Sequence, residues 1–113
     1  MIIAFTGHRD KLADISFLDN LPKDAIWVHG GAIGFDMQVE SYTIAYKIKT
    51  KIIKPDYAKY GKSAPLIRNQ EILKGADLLV ACYDGRKGGG TYYTINLAKK
   101  LGIKIIYAGI AKR

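Results

Sequence analysis

Apolar positions in this chain fall into short unbroken runs, separated by stretches in which they recur every three or four residues. The runs IIAFT (2–6), AIWVH (25–29), TKIIK (50–54), DLLVACY (77–83) and IKIIY (103–107) read as strands. Most are apolar without alternation, which predicts strands covered on both faces. Between 11 and 21 the residues Leu12, Ile15, Leu18 and Leu21 place an apolar group at every third position, and Pro22 follows. That spacing suits a short helix or a tighter helical turn. Over 34–49 the positions Phe35, Val39, Tyr42, Ile44, Ala45, Tyr46 and Ile48 predict a helix with one wide buried face. Residues 66–74 predict another, with Pro65 acceptable at its first position, and 91–101 a last one, with Gly102 on its C-cap side. DYAKYGKSAP (56–65) reads as irregular, and the basic pair Lys112 and Arg113 is expected to fray.

The order is therefore β-α-β-α-β-α-β-α-β. Strands alternating with helices predict a parallel sheet with helices on both faces. Right-handed crossovers then give a doubly wound, Rossmann-like α/β sheet of strand order 3-2-1-4-5, a single three-layer domain spanning 1–113. In that order the connections reverse direction between the first and fourth strands. The loops after the first, second and fourth strands then share one edge, where such sheets bind ligands.

Composition narrows the class. With 49% hydrophobic and 25% charged residues, the chain is an ordinary globular domain and disorder is excluded. No apolar run nears the roughly 20 residues that span a bilayer, so no membrane partner is expected. Met-Ile-Ile-Ala-Phe lacks a basic leader and reads as a strand, not a signal peptide. The lone cysteine, Cys82, sits in an apolar run and reads as a buried small hydrophobe in a reducing, cytoplasmic setting. His8 and His29 stand apart from any ligand cluster, so no metal is expected. The net charge of +8 favours anionic partners. The lysines are scattered (Lys47, Lys49, Lys51, Lys54, Lys99, Lys100, Lys104), which equally suits a solvated surface.

Chemistry concentrates in two glycine-rich turns, HGGAIGFD (29–36) and DGRKGGGT (84–91), each between a strand and a helix. Glycines bring backbone close to a ligand, and a helix start offers N–H groups and a positive dipole end, which together suit an anion such as phosphate. Gly30, Gly31 and Gly34 also fit a plain tight turn. Gly88, Gly89 and Gly90, before Thr91 as an N-cap, are more specific, because consecutive glycines form an N–H nest. Neither turn matches the dinucleotide fingerprint or the GxxxxGK[ST] phosphate loop. Asp36 either complements the helix dipole or holds a ribose hydroxyl or a loop N–H. At the end of the first strand Gly7, His8 and Arg9 suit a phosphate clamp, with His8 stacking on a base or bonding a phosphate. Arg68 and Asn69 lie early in their helix, where a cation opposes the dipole and so serves another purpose. Tyr57 and Tyr60 line a base pocket or cover the core edge.

TGHR (6–9), HGGAIGFD, PDYAKYGKSAPLIRN (55–69) and DG-x-x-GGGT together resemble the SLOG superfamily, the Rossmann-like fold shared by the DNA-processing protein DprA and the LOG phosphoribohydrolases. Within that superfamily the chain resembles the small YspA- and YpsA-related branch. The resemblance covers nearly the whole chain, with the motifs in the family's order. It implies a single domain binding a nucleotide-derived ligand through Gly7, His8, Arg9, Gly30, Gly31, Asp36, Arg68, Asn69, Gly89, Gly90 and Thr91. One departure bears on catalysis. The LOG glycine loop continues GGxGTxxE, and its glutamate serves N-glycosidic cleavage, whereas here Thr91 is followed by Tyr92, Tyr93, Thr94, Ile95 and Asn96. Asp36, Glu71 and Asp84 are the acids placed to substitute, and the tyrosines suit stacking on a base instead.

The leading expectation is a module that binds a nucleotide or nucleotide-derived phosphorylated ligand, with Gly34, Asp84 and Gly88 completing the site and no cofactor. The alternatives are a phosphoribohydrolase or related N-glycosidase, and a DprA-like binder of nucleic acid. A homodimer is also expected, built on Tyr42, Ile44, Tyr46 and Ile48, with superfamily relatives commonly dimeric.

Overall fold

A computed structural model describes residues 1–111, and the Lys112–Arg113 pair lies outside them. Five strands, β1 (Ile2–Gly7), β2 (Ile26–His29), β3 (Thr50–Ile52), β4 (Leu78–Cys82) and β5 (Lys104–Ala108), form one sheet of order β3-β2-β1-β4-β5. Every pairing is parallel. The helices are α1 (Phe35–Tyr46), α2 (Tyr57–Tyr60), α3 (Ala64–Leu73) and α4 (Gly89–Leu101). This is the doubly wound α/β topology that the alternation of runs predicts. The radius of gyration, 13.0 Å, is that of one folded domain of about this length.

Side-chain alternation along the central strands splits the core in two. Ile3 and Phe5 of β1, with Trp27, Val80 and Cys82, pack beneath Phe35, Val39 and Tyr42 of α1 and Leu18. Ala4, with Val28, Leu79 and Ala81, packs on the other face under Ile72 and Leu73 of α3 and Ile95 and Ala98 of α4. The strand β4 is buried at every residue, since it pairs on both edges and is covered on both faces. Rings of Phe5 and Trp27 lie 5.0 Å apart, and Trp27 stacks on Tyr42 at 5.6 Å. The Trp27 indole N–H donates to the Pro22 carbonyl, which satisfies the one polar atom of a ring with no exposure.

Several local expectations change. Residues Ile15–Asn20 form a 3₁₀ helix, the tighter of the two forms the spacing allows, and only Leu18 within it is buried. Of the wide face expected on α1, Ile44, Ala45 and Tyr46 are exposed, because α1 meets the sheet on one side and nothing covers its last turn. Only three residues of 50–54 pair as β3, and as an edge strand it is largely exposed. The stretch read as irregular contains α2 and a 3₁₀ turn, Gly61–Ser63. Helix α3 begins at Ala64, so Pro65 lies inside its first turn.

Lys47 closes α1 with φ of 55°, the one non-glycine positive φ among the described residues. The left-handed region crowds Cβ against the following carbonyl. Lys47→Gly should therefore stabilise the domain by about 1 kcal/mol, read by urea denaturation.

Candidate functional site

The C-terminal end of β1, the loops after β2, β3 and β4, the first turns of α1 and α4 and one side of α3 enclose a cavity of about 600 Å³, within the usual range for small-molecule sites. Gly7, His8, Arg9, Gly30, Gly31, Asp36, Arg68, Asn69, Gly89, Gly90 and Thr91 all line it. Gly34, Asp84 and Gly88, expected to complete the site, do not.

Gly34 acts one step back from the cavity. It starts α1 with φ of 84°, and a Cβ there would sit 2.7 Å from the His8 carbonyl oxygen. Only glycine lets the β2–α1 turn close on the loop after β1. Gly7 is required from the other side, since a Cβ would lie 2.6 Å from that of Phe35. His29 ends β2 with no exposure. Its Nδ1 accepts the Gly31 N–H, so Nε2 carries the proton and donates to the Glu40 carboxylate at 3.0 Å. The ring thus fixes the first glycines of the turn.

Arg68 joins two of the loops. Its guanidinium donates to the Gly30 carbonyl at 2.8 Å and to the Asn69 side-chain oxygen at 2.8 Å, and the Asn69 amide reaches the Gly90 carbonyl. A Cβ on Gly30 would come within 2.3 Å of Arg68. With α3 starting at Ala64, Arg68 sits mid-helix, so its cation does not oppose the dipole. Its position over Gly30 explains its presence.

Helix α4 also starts earlier than its sequence suggests. Gly88 is the N-cap, and Thr91 lies buried in the first turn, not at the cap. Gly88 and Gly89 have φ of 116° and 82°, with open space where a Cβ would stand. Gly90 has an ordinary φ, and its close neighbour is the Asn69 amide. The first N–H groups of α4 lack intrahelical acceptors and border the cavity.

His8 is tied down. Its Nε2 lies 3.0 Å from the Asp84 carboxylate and 3.3 Å from the Asp84 N–H, which need opposite tautomers. Burial lowers its pKa against the opposing pull of Asp84, favouring the neutral ring. Asp84 is gripped by Arg86, whose guanidinium also reaches Asp10. That hydrogen bonding holds the Asp84 carboxyl well below the usual carboxylate range. The pair laces the β4–α4 loop to the loop after β1. Its Nε2 thus engaged, His8 serves this lacing.

Arg86 and Lys54 line the cavity and were not singled out from the sequence. Arg86 sits inside the glycine motif itself, where a charged neighbour was the available signal. Lys54 looked like one of many scattered lysines, and its place beside Gly31 depends on β3 lying next to β2. Arg9, Lys54 and Arg68 make no ion pair among the described residues, whereas Arg86 is neutralised by Asp84 and Asp10. Glu71 and Tyr60 line an adjoining depression of about 250 Å³ that shares Lys54 and Arg68 with the main cavity, and neither lines the main cavity. Tyr92 stacks near Tyr83, and Tyr93 accepts a hydrogen bond from Gln70. Both are outside the lining.

Asp36 is the one carboxylate lining the cavity, and it is 7% exposed. One oxygen accepts the Ala32 N–H, and the other is buried without a hydrogen-bond partner. Burial raises its pKa, against the pull of the backbone N–H groups of Ala32 and Gly30 and of the Arg68 cation. Among the described residues no three His, Cys, Asp or Glu side chains gather to hold a metal, and no helix is long and apolar enough to cross a membrane. Cys82 is buried, which pushes its thiol up to about 11 and leaves it unreactive.

The fold and crevice define a Rossmann-like α/β protein with a cationic cavity at the carboxyl edge of its sheet. No protein-family model matches the chain, and no solved structure matches it. The chain is 32% identical over 106 residues to the Gene 61 protein of Mycobacterium phage D29, covering 88% of this chain and 82% of that one. It belongs to the family of that phage protein.

The raised pKa of Asp36 makes a stability prediction. The folded state holds that proton more tightly than the unfolded chain, so stability falls as pH rises from the ordinary 3.8 through the raised value. Asp36→Asn removes this titration. The variant should melt a few degrees above the parent at pH 7.5, with the advantage vanishing below pH 3.8. Melting curves across pH check it, and a variant less stable at neutral pH would contradict it.

Proposed function

We propose that this chain binds a nucleotide or nucleotide-derived phosphorylated ligand in the cavity at the carboxyl edge of its sheet. The observation that carries this reading is the meeting of three things in one space: the first turn of α4, the cations Arg9, Lys54 and Arg68 without ion-pair partners among the described residues, and Asp36 with a buried unpartnered oxygen. The N–H groups and cations suit a phosphate. The spare carboxylate oxygen suits a hydroxyl donor such as that of a ribose, because a buried acceptor left unpaired costs free energy. The resemblance to the SLOG superfamily points the same way. A cytoplasmic setting belongs to this reading, supported by the lone buried thiol.

Hydrolysis of an N-glycosidic bond is the second reading, and one observation favours it: Asp36 is a carboxyl whose pKa burial raises, as a general acid requires. Nucleic-acid binding has less support, because Lys47, Lys49 and Lys51 lie outside the cavity lining. A homodimer is part of the proposal only through the exposed Ile44 and Tyr46, since Tyr42 and Ile48 are buried in the protomer core. Sedimentation showing a 12.5 kDa species at micromolar concentration would remove it.

Ligand binding is tested by melting the folded protein with AMP, ADP and ADP-ribose. A ligand at about 100 times its Kd adds about 2.7 kcal/mol, a rise on the order of 10 °C. Gly89→Val, which places a side chain where α4 opens on the cavity, should abolish the rise. A flat melting temperature with every phosphorylated compound would overturn the proposal. The nucleotides should stay intact on chromatography. Free base that accumulates with the parent and not with Asp36→Asn would establish the hydrolase instead.

A further inference from the structure

The cavity has two unlike ends. At the β4 end lie the first turn of α4 and Arg86. At the β3 end lie Ile33 and Tyr57, each 61% exposed, with Pro55 also in the lining. Large apolar side chains left this open to water within a cavity mark a surface that something apolar covers. Tyr57 opens α2, a turn with no buried residue, so no core packing accounts for its place. Its backbone is nevertheless set from both ends. The Asp56 carboxylate accepts the Lys59 N–H, and Gly61 donates its N–H to the Tyr57 carbonyl. Tyr60, three residues on, turns to Lys59 and the neighbouring depression. The turn therefore presents one aromatic ring to the cavity.

Strand order sets the distance between the ends. From β3 to β4 there are three interstrand spacings, about 14 Å in all. Asp36, on the helix after β2, lies between them. Lys54 belongs to the β3 end too, but its stem runs along Gly31, with Cε 3.3 Å from where a Cβ would stand.

We propose that the β3 end of the cavity seats a planar nucleobase against Tyr57 and Ile33, with the sugar at Asp36 and the phosphate on the first turn of α4. This rests on the phosphorylated-ligand reading above and adds a direction to it. Tyr57 is then a specificity-determining residue that distinguishes a nucleotide from a bare sugar phosphate.

The test is calorimetric titration of the whole chain with AMP, GMP, CMP and UMP, and with ribose 5-phosphate and pyrophosphate. The tightest nucleotide should bind at least about tenfold more tightly than ribose 5-phosphate, as stacking on an aromatic ring predicts. Tyr57→Ala should erase most of that difference while leaving ribose 5-phosphate affinity and melting temperature unchanged, and Tyr57→Phe should restore it. Equal affinities for nucleotide and ribose 5-phosphate would overturn the proposal. So would a Tyr57→Ala that weakens both alike, or pyrophosphate binding as tightly as the nucleotide and weakening when Lys54 is replaced by Met. In each of those results a phosphorylated ligand still binds, and only the base seat falls. If none of the compounds binds, the phosphorylated-ligand reading fails and takes this one with it.

Discussion

Everything at the crevice depends on the reversal of chain direction about β1. A parallel sheet needs a crossover for each strand, and right-handed crossovers keep all strand-to-helix turns on one edge. From β1 the chain winds outward to β2 and β3 with α1 on one face, then returns past α3 to β4 and β5. The helices on either side of the switch lie on opposite faces, so the turns above β1 and β4 part and leave a gap. The 600 Å³ cavity is that gap, narrowed by two contacts. Gly34 presses the β2–α1 turn onto the His8 carbonyl, and Arg68 ties the same turn to α3.

Charge in the cavity is arranged rather than merely abundant. A net charge of +8 spread over a surface raises the local concentration of anions but selects none. Here one arginine, Arg86, is spent on Asp84 and Asp10 and fixes the loop before α4. Arg68 is spent on carbonyl and amide oxygens, which hold its position without cancelling its charge. Arg86 therefore only braces, whereas Arg68 braces and still keeps its charge unpaired in the cavity lining, as Arg9 and Lys54 do. The neutral His8 ring adds no positive charge to the set.

The sheet order and the three converging loops were legible because they follow from the order of runs and from handedness, which need no side-chain detail. Eleven of the expected site residues line the cavity for the same reason. What stayed illegible depends on distance between strands or on which end of a helix a residue occupies. Lys54 matters only because β3 pairs with β2. Thr91 looked like a cap because glycines are poor helix formers, yet a helix bordering an open space can begin on them, and Gly88 takes the cap. Ile44 and Tyr46 extended a helical stripe beyond the buried side of α1. The absence of a glutamate after Thr91 was visible at once, but whether Asp36 shares its environment required the fold to show that Asp36 is buried with a free oxygen.

That oxygen sets the balance between stability and use. A carboxylate taken out of water with half its acceptors unpaired weakens the folded state, and an amide in the same place would remove the charge at little change of shape. Gly88 and Gly89 raise the same question. Each has a positive φ that an L residue resists, and neither has a neighbour that would collide with a side chain. Steric room for the protein's own packing therefore does not require both glycines. Positive φ can be supplied by asparagine at one of them with modest strain. What Gly89 supplies, with Gly90 after it, is a backbone bare of side chains where the start of α4 lines the cavity. An unpaired acid oxygen and an undressed helix start both cost the isolated domain and both face the same cavity. Under the proposed function, a ligand in that cavity is what would offset both costs at once.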